Sequence, residues 1–307
     1  MKLLITGACG HIGSYLVDNI KKIKKINEVI LIDNFNTQRY NALFNLKKKV
    51  KLSFFNIDLS KNKLDNIKKV NYVIHCASHT NAQGSFSIKK EMFRNNISCM
   101  KNVINYCIKN KSNLIHLSST SVYGKQAEIV NENDIHLLKP QSPYAEIKLI
   151  EEKLLKKNKK KLKFVTFRFG TIAGVSKGIR FHTAINKFCF NAALNEKIFI
   201  YKTAYNQFRP YLSLKDSFKV FKFCIEKNMF DNEVYNALSG NFTVKQIISM
   251  IKKYKKKIRL SFVKTAIMNQ LSYHVDDAKL RNKGLRLNAS LQKDIKETLL
   301  LFKGIKF

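Results

Sequence analysis

The 307-residue chain carries 57 Lys+Arg against 21 Asp+Glu, a formal charge of +36, yet 45% of its residues are hydrophobic and 11% aromatic. That balance excludes a disordered basic tail and supplies a sizeable core, in two domains or one large one. The lysine-rich runs at 21–22, 47–49, 156–161 and 252–257 lie far apart, so the charge reads as compositional drift on solvated faces rather than as one basic block for nucleic acid.

The chain opens on Lys2 to Thr6, a short apolar strand that meets Gly7 at once. This run is too short for the core of a signal peptide, and no stretch approaches the roughly 18 apolar residues of a membrane span. Further strands are predicted at Glu28 to Asp33, Lys51 to Asn56, Tyr72 to Cys76, Asn113 to Ser118 and Lys163 to Arg168. Between them, Ile12 to Lys25, Lys89 to Lys109 and Ser142 to Lys157 carry apolar residues at the three- and four-residue spacing of helices. The alternation predicts an α/β fold, a Rossmann-type doubly wound parallel sheet over residues 1–170. Beyond Gly170 the rhythm loosens, which predicts a smaller α/β substrate domain over 171–307, with some segments returning to the first. The six cysteines, Cys9, Cys76, Cys99, Cys107, Cys189 and Cys224, include no Cys-x-x-Cys pair and no zinc-ligand spacing. They read as reduced apolar side chains in a cytoplasmic protein without a metal.

Three local signals carry chemistry. Gly7-Ala8-Cys9-Gly10-His11-Ile12-Gly13 follows a strand and opens a helix, where a tight turn and unpaired helix N–H groups suit a pyrophosphate. Asp33 ends the next strand 20 residues after Gly13, with Asn34 beside it. Its carboxylate suits ribose hydroxyls and repels a 2′-phosphate, so the predicted cofactor is NAD rather than NADP. Arg39, six residues on, is expected to be an exposed helix residue, and Asp58-Leu59 after the third strand is placed to meet an adenine amino group. The second signal is Tyr144 and Lys148, four apart on one helix face. A phenol has an ordinary pKa near 10, and a neighbouring cation favours its phenolate. The third is the hydroxyl cluster Ser118 to Ser121 at the carboxyl end of a strand, where parallel sheets place ligands.

Together these residues resemble the extended short-chain dehydrogenase/reductases, in particular the NAD-dependent epimerase/dehydratase group that acts on nucleotide sugars. The resemblance runs along most of the chain, including Arg94-Asn95-Asn96, Ser118 to Gly124, Arg168-Phe169-Gly170 and Arg209-Pro210-Tyr211. It implies Tyr144 as general acid/base, Lys148 as its activator and a ligand of the nicotinamide ribose, and Ser119 as the catalytic hydroxyl three residues before Val122-Tyr123-Gly124. It further implies Cys76, Ala77 and Asn96 beside the cofactor, Asn96 being the helix residue that supports the active site, and Arg209 on the substrate diphosphate. Arg180 is a second candidate anion contact. Thr80 stands where many relatives carry Lys, Thr171 where 4-epimerase-like members carry Asn, and Thr120-Ser121 where 4,6-dehydratases carry Asp-Glu. Thr80, Thr120 and Thr171 are therefore candidate substrate contacts, and dehydration lacks its usual acid and base.

The expected activity is oxidation of a nucleotide sugar at C4 and its return from the other face, an epimerase. A 4-dehydrogenase or reductase uses the same side chains and stays open. A non-catalytic dinucleotide binder and a nucleic-acid binder are the readings from other classes. The resemblance also implies a homodimer through the helices at 89–109 and 142–157. There Met92, Ile97, Met100, Val103, Ile104 and Cys107 fit either an exposed stripe or packing onto the sheet.

Overall fold

The computed structural model describes residues 1–46, 50–81, 84–124, 129–264 and 273–305. In chain order, β1 (Lys2–Thr6) leads into α1 (His11–Asn19), and β2 (Glu28–Asp33), β3 (Lys51–Asn56) and β4 (Tyr72–His75) precede α2 (Lys89–Asn110). Then come β5 (Asn113–Ser119), the short β6 (Ile129–Val130), α3 (Pro143–Lys157), β7 (Phe164–Phe169) and β8 (Thr171–Ala173). The remainder supplies α4 (Ala184–Ala193), β9 (Lys197–Tyr201), β10 (Phe208–Ser213), α5 (Leu214–Lys227), β11 (Val234–Ala237) and β12 (Gly240–Thr243). It closes with α6 (Val244–Lys252), β13 (Arg259–Val263), β14 (His274–Val275), α7 (Ala278–Asn282) and α8 (Leu291–Leu300).

Seven strands form one parallel sheet in the order β3-β2-β1-β4-β5-β7-β11. Alternation along each strand divides its side chains between two apolar layers. Leu3, Ile5, Val29, Leu31 and Ile115 face one layer with Leu16 of α1 and Phe221 of α5. Leu4, Ile30, Ile32, Val73 and Leu114 face the other with Met100 and Val103 of α2 and Leu155 of α3. This is the doubly wound Rossmann-type arrangement the alternation predicts. The strand order reverses between β1 and β4, and ligands of such sheets bind at the carboxyl ends beside that point.

The first helix is shorter than its periodicity suggests, ending at Asn19 before a 3₁₀ turn over Ile20–Lys22. An extended Ile23 follows, which lets Ile23 and Ile26 enter the core instead of continuing along a lysine-rich helix. On α2, all six of Met92, Ile97, Met100, Val103, Ile104 and Cys107 are buried, so that stripe serves internal packing. A third apolar layer joins α4, α6 and α8 to β9 and β10 through Ile185, Ile198, Tyr211, Ile247 and Ile295. All six cysteines are free thiols, five of them buried. No helix among the described residues is long and apolar enough to cross a membrane.

Candidate active site

The glycine loop sits between β1 and α1. Gly7 adopts a positive φ of 66°, and a Cβ there meets the Ala77 backbone nitrogen at 2.6 Å, while a Cβ on Gly13 meets the Gly7 carbonyl at 2.2 Å. Both positions need the missing side chain, one for the turn and one for seating the helix on it. The first amides of α1, His11 to Gly13, are helix-terminal N–H groups without an i−4 acceptor. The His11 ring turns away from the loop, so this cofactor candidate offers a ligand its backbone N–H alone. Its Nδ1 lies 2.8 Å from Ser176 Oγ, and Asn186 Nδ2 donates to its Nε2 at 3.3 Å. Burial and the nearby Arg180, Arg39 and His182 hold this imidazole well below its ordinary pKa, so it is neutral. Ile12 packs on the sheet's core. Only the backbone of this pair is presented to a ligand.

One cleft runs from this loop along the strand ends, lined by Gly7, Gly10, Asp33, Asn34, Asp58, Leu59, Cys76 and Ala77, and also by Arg39 and Asn95. Asp33 is fixed at its mouth, accepting from Cys9 N at 2.9 Å and Phe35 N at 3.0 Å. Asp58 accepts from the Ser60 amide and hydroxyl at 2.9 and 2.7 Å. Each carboxylate keeps acceptor capacity for a further donor. Burial pushes the Cys76 thiol up to about 12, so it stays a neutral wall residue. Two expectations change here. Arg39 is not an exposed surface residue but a half-buried cleft residue, its pKa lowered by burial against the opposing pull of Asp33. Asn96 is 0% exposed, and its amide is spent on the His79 backbone at 2.8 and 3.0 Å. It pins the loop after β4 from behind and has no surface left for a cofactor.

The reactive side chains stand beyond this cleft. Ser142 caps α3 by accepting from Ala145 N at 3.2 Å, and Pro143 sets the first helical residue. The helix packs against β5 and the 3₁₀ turn that follows it. Lys148 Nζ lies 5.9 Å from the centroid of the Tyr144 ring. Ser119, half-buried at the end of β5, accepts from Ser121 N at 3.2 Å and Ser121 Oγ at 2.9 Å. Thr120 is corrected as a substrate contact: it is 2% exposed and its hydroxyl donates to the Phe169 carbonyl at 3.3 Å.

Three residues outside the sequence motifs, Glu151, His116 and Tyr273, join this group. Glu151 bonds Lys148 Nζ at 2.8 Å and His116 Nε2 at 3.0 Å, all buried. Tyr273 OH comes within 3.5 Å of Thr120 Oγ1 and is within electrostatic reach of both Arg209 and Tyr144. Glu151 had a usable signal, three residues after Lys148 on the Tyr144 face; Tyr273 had none, because a distant segment delivers it. On β10, Arg209 buries Nε and Nη2 with no partner among the described residues, and Arg180 buries its Nε likewise. Arg180 Nη1 donates to Thr80 Oγ1, and Thr171 lies on β8, which pairs with β10. Orphaned guanidinium N–H groups at the edge of a site are donors awaiting an anion.

A glycine loop at a strand–helix junction, an acid at the end of the next strand and a Tyr/Lys pair on a helix define a dinucleotide-dependent short-chain oxidoreductase site on a Rossmann sheet. The chain belongs to the NAD-dependent epimerase/dehydratase family, whose pattern it matches over residues 3–237. It is 26% identical to a dTDP-D-glucose 4,6-dehydratase of Dictyostelium discoideum, over 99% of this chain and 82% of that one. It is also 26% identical to an ADP-L-glycero-D-manno-heptose-6-epimerase of Brachyspira hyodysenteriae, over 85% of this chain and 83% of that one. In fold it is similar to the crystal structure of a UDP-glucuronic acid 4-epimerase from Bacillus cereus with UDP-glucuronic acid and NAD, with a TM-score of 0.87, 24% identity and 99% coverage of both chains.

Proposed function

We propose that the protein is an NAD-dependent epimerase of a nucleotide-diphosphate sugar, oxidising C4 to a 4-keto sugar and reducing it from the other face. The observation that carries this reading is the pair of orphaned buried donors on Arg209, whose charge is felt at Tyr273 together with that of Tyr144. A planar guanidinium suits phosphate oxygens. The residues that would hold the cofactor are the His11 to Gly13 amides for the pyrophosphate, Asp33 for the adenosine ribose and Asp58 for the adenine. Bound NAD supplies the hydride acceptor and donor. Tyr144 takes the proton of the C4 hydroxyl and returns it, Lys148 keeps a cation beneath the phenol, and Ser119 Oγ holds the same oxygen. Arg180 brings a guanidinium to Thr80, so a cation reaches the place where relatives carry Lys from a different segment. Dehydration is disfavoured because Thr120 and Ser121 are tied to Phe169 and Ser119 and offer no carboxylate.

Incubation with NAD and a panel of UDP-, dTDP- and GDP-sugars, followed by NMR and by reduced-nicotinamide absorbance, tests this reading. An epimer without net reduced cofactor is expected; stoichiometric reduced cofactor assigns a dehydrogenase instead. Two lost charged hydrogen bonds are worth about 3 kcal/mol, so Arg209→Met is expected to weaken nucleotide-sugar binding by roughly 100-fold, measured by titration calorimetry. Unchanged affinity removes Arg209 from the site. A cytoplasmic homodimer through α2 and α3 belongs to the same proposal, supported by Phe93, which stays 45% exposed on α2. Light scattering is expected to give twice the chain mass.

A further inference from the structure

On α3, Tyr144, Lys148 and Glu151 follow at spacings of four and three, so all three share one face. Lys148 and Glu151 are both buried, and an ammonium there survives only with a partner. Burial disfavours the Lys148 charge, but Glu151 and Tyr144 outweigh it and hold its pKa above the ordinary lysine value. Glu151 in turn is kept ionised against burial by Lys148 and His116, below the usual carboxylate range. A carboxylate only accepts, so His116 presents a proton on Nε2 to Glu151, and its Nδ1 lies 3.3 Å from Thr166 Oγ1. The carboxylate is thus fixed from β5 at one end and grips the lysine at the other.

We propose that Glu151, locked by His116, is a positioning residue: it fixes one of the three Lys148 donors away from the substrate and raises the pH at which the Tyr144–Lys148 pair first gives up a proton. The sign follows from charge. An anion 2.8 Å from Lys148 favours every protonated state near it, so removing it eases the first proton loss. The other groups facing this cluster do not supply a second anion. His75 ends β4 and Cys76 follows it, with burial lowering the first to about 3 and raising the second to about 12. Cys99 of α2 is likewise neutral, pushed up to about 12 by burial. Arg180 and Tyr273 face Tyr144 from the later segments, one a cation and the other a phenol kept neutral by burial.

This inference rests on Tyr144 as the acid/base group, and the test separates the two. Tyrosinate absorbance is titrated in the NAD-free protein and its Glu151→Gln form, each as a difference against the same protein carrying Tyr144→Phe, alongside the pH profile of sugar turnover. The tyrosinate step and the acid limb are expected to move to lower pH in Glu151→Gln by about one unit or more. A folded Glu151→Gln protein whose tyrosinate step and acid limb stay in place overturns the proposal. If that variant does not fold, Glu151→Asp, which withdraws the carboxylate by one methylene, is expected to shift both in the same direction by less, and no shift overturns the proposal equally. Sugar turnover that survives Tyr144→Phe overturns the proposed function instead.

Discussion

Tyr144→Phe is expected to lower sugar turnover by about 10²–10⁴-fold, the usual contribution of a positioned general acid/base. The substitution removes one oxygen and leaves the ring, which packs with Met92, Ile97 and Ile147 between α2 and α3. Folding and binding of NAD in the cleft are therefore expected to persist, because Tyr144 does not line the cleft that runs from Gly7 to Cys99. Steady-state rates with equilibrium binding of NAD check the split. Equal loss of both points to a packing role, and full retention of turnover removes Tyr144 from the chemistry. Lys148 cannot substitute as the base, since its ammonium is buried and held charged by Glu151.

Arg168→Met is expected to destabilise the protein by about 3–5 kcal/mol, the cost of stranding one member of a buried ion pair. Arg168, on β7, grips Glu152 of α3 through Nε at 3.0 Å and Nη2 at 2.7 Å, and its Nη1 donates to Tyr123 OH at 2.9 Å. Ser118 Oγ also donates to Glu152 at 2.5 Å, and Tyr123 OH donates to Asn236 Oδ1 at 3.0 Å. The network therefore ties α3 to β5, β7 and β11. Burial weakens the guanidinium charge, but Glu152 more than compensates and raises its pKa. Without Arg168 the Glu152 carboxylate keeps only a hydroxyl, and the melting temperature is expected to fall by roughly 5–8 °C. The double variant Arg168→Met/Glu152→Leu is expected to recover most of that loss, because removing both charges leaves no stranded ion. Thermal denaturation of the set measures both, and a double variant no better than the single one places the loss in the contact with Tyr123.

Much of the cofactor half was legible in the sequence because its signals are local. Gly7 to Gly13 lie on one turn, Asp33 ends the adjacent strand, and period-two strands against period-3.6 helices mark the sheet. The reactive half was legible only where one helix carries it, as with Tyr144 and Lys148. Thr120 looked like an open hydroxyl beside Ser119, yet the 3₁₀ turn after β5 rotates it onto the Phe169 carbonyl. Asn96 looked like a ligand, yet α2 turns it toward the His79 backbone. Adjacent residues of a turn or helix point in different directions, and spacing from a motif does not say which one faces the cavity.

The sequence by itself determined the alternation of strands and helices, the phosphate loop and the Tyr/Lys pair, since each of these signals lies within a short run of consecutive residues. The tertiary structure alone decided which long-range partners meet: His116 with Glu151, Arg180 with Thr80, Tyr273 with Thr120, and β11 beside β7. These pairs are 35 to 153 residues apart for the side chains. They form because packing a folded sheet brings distant segments together at its carboxyl ends, where burial turns separate polar residues into one electrostatic unit. The surplus of 36 positive charges takes its meaning the same way. Its size is plain in the sequence, and the fold singles out a few cations, the buried Lys148 and the half-buried Arg180 and Arg209, whose charges are partly withdrawn from water.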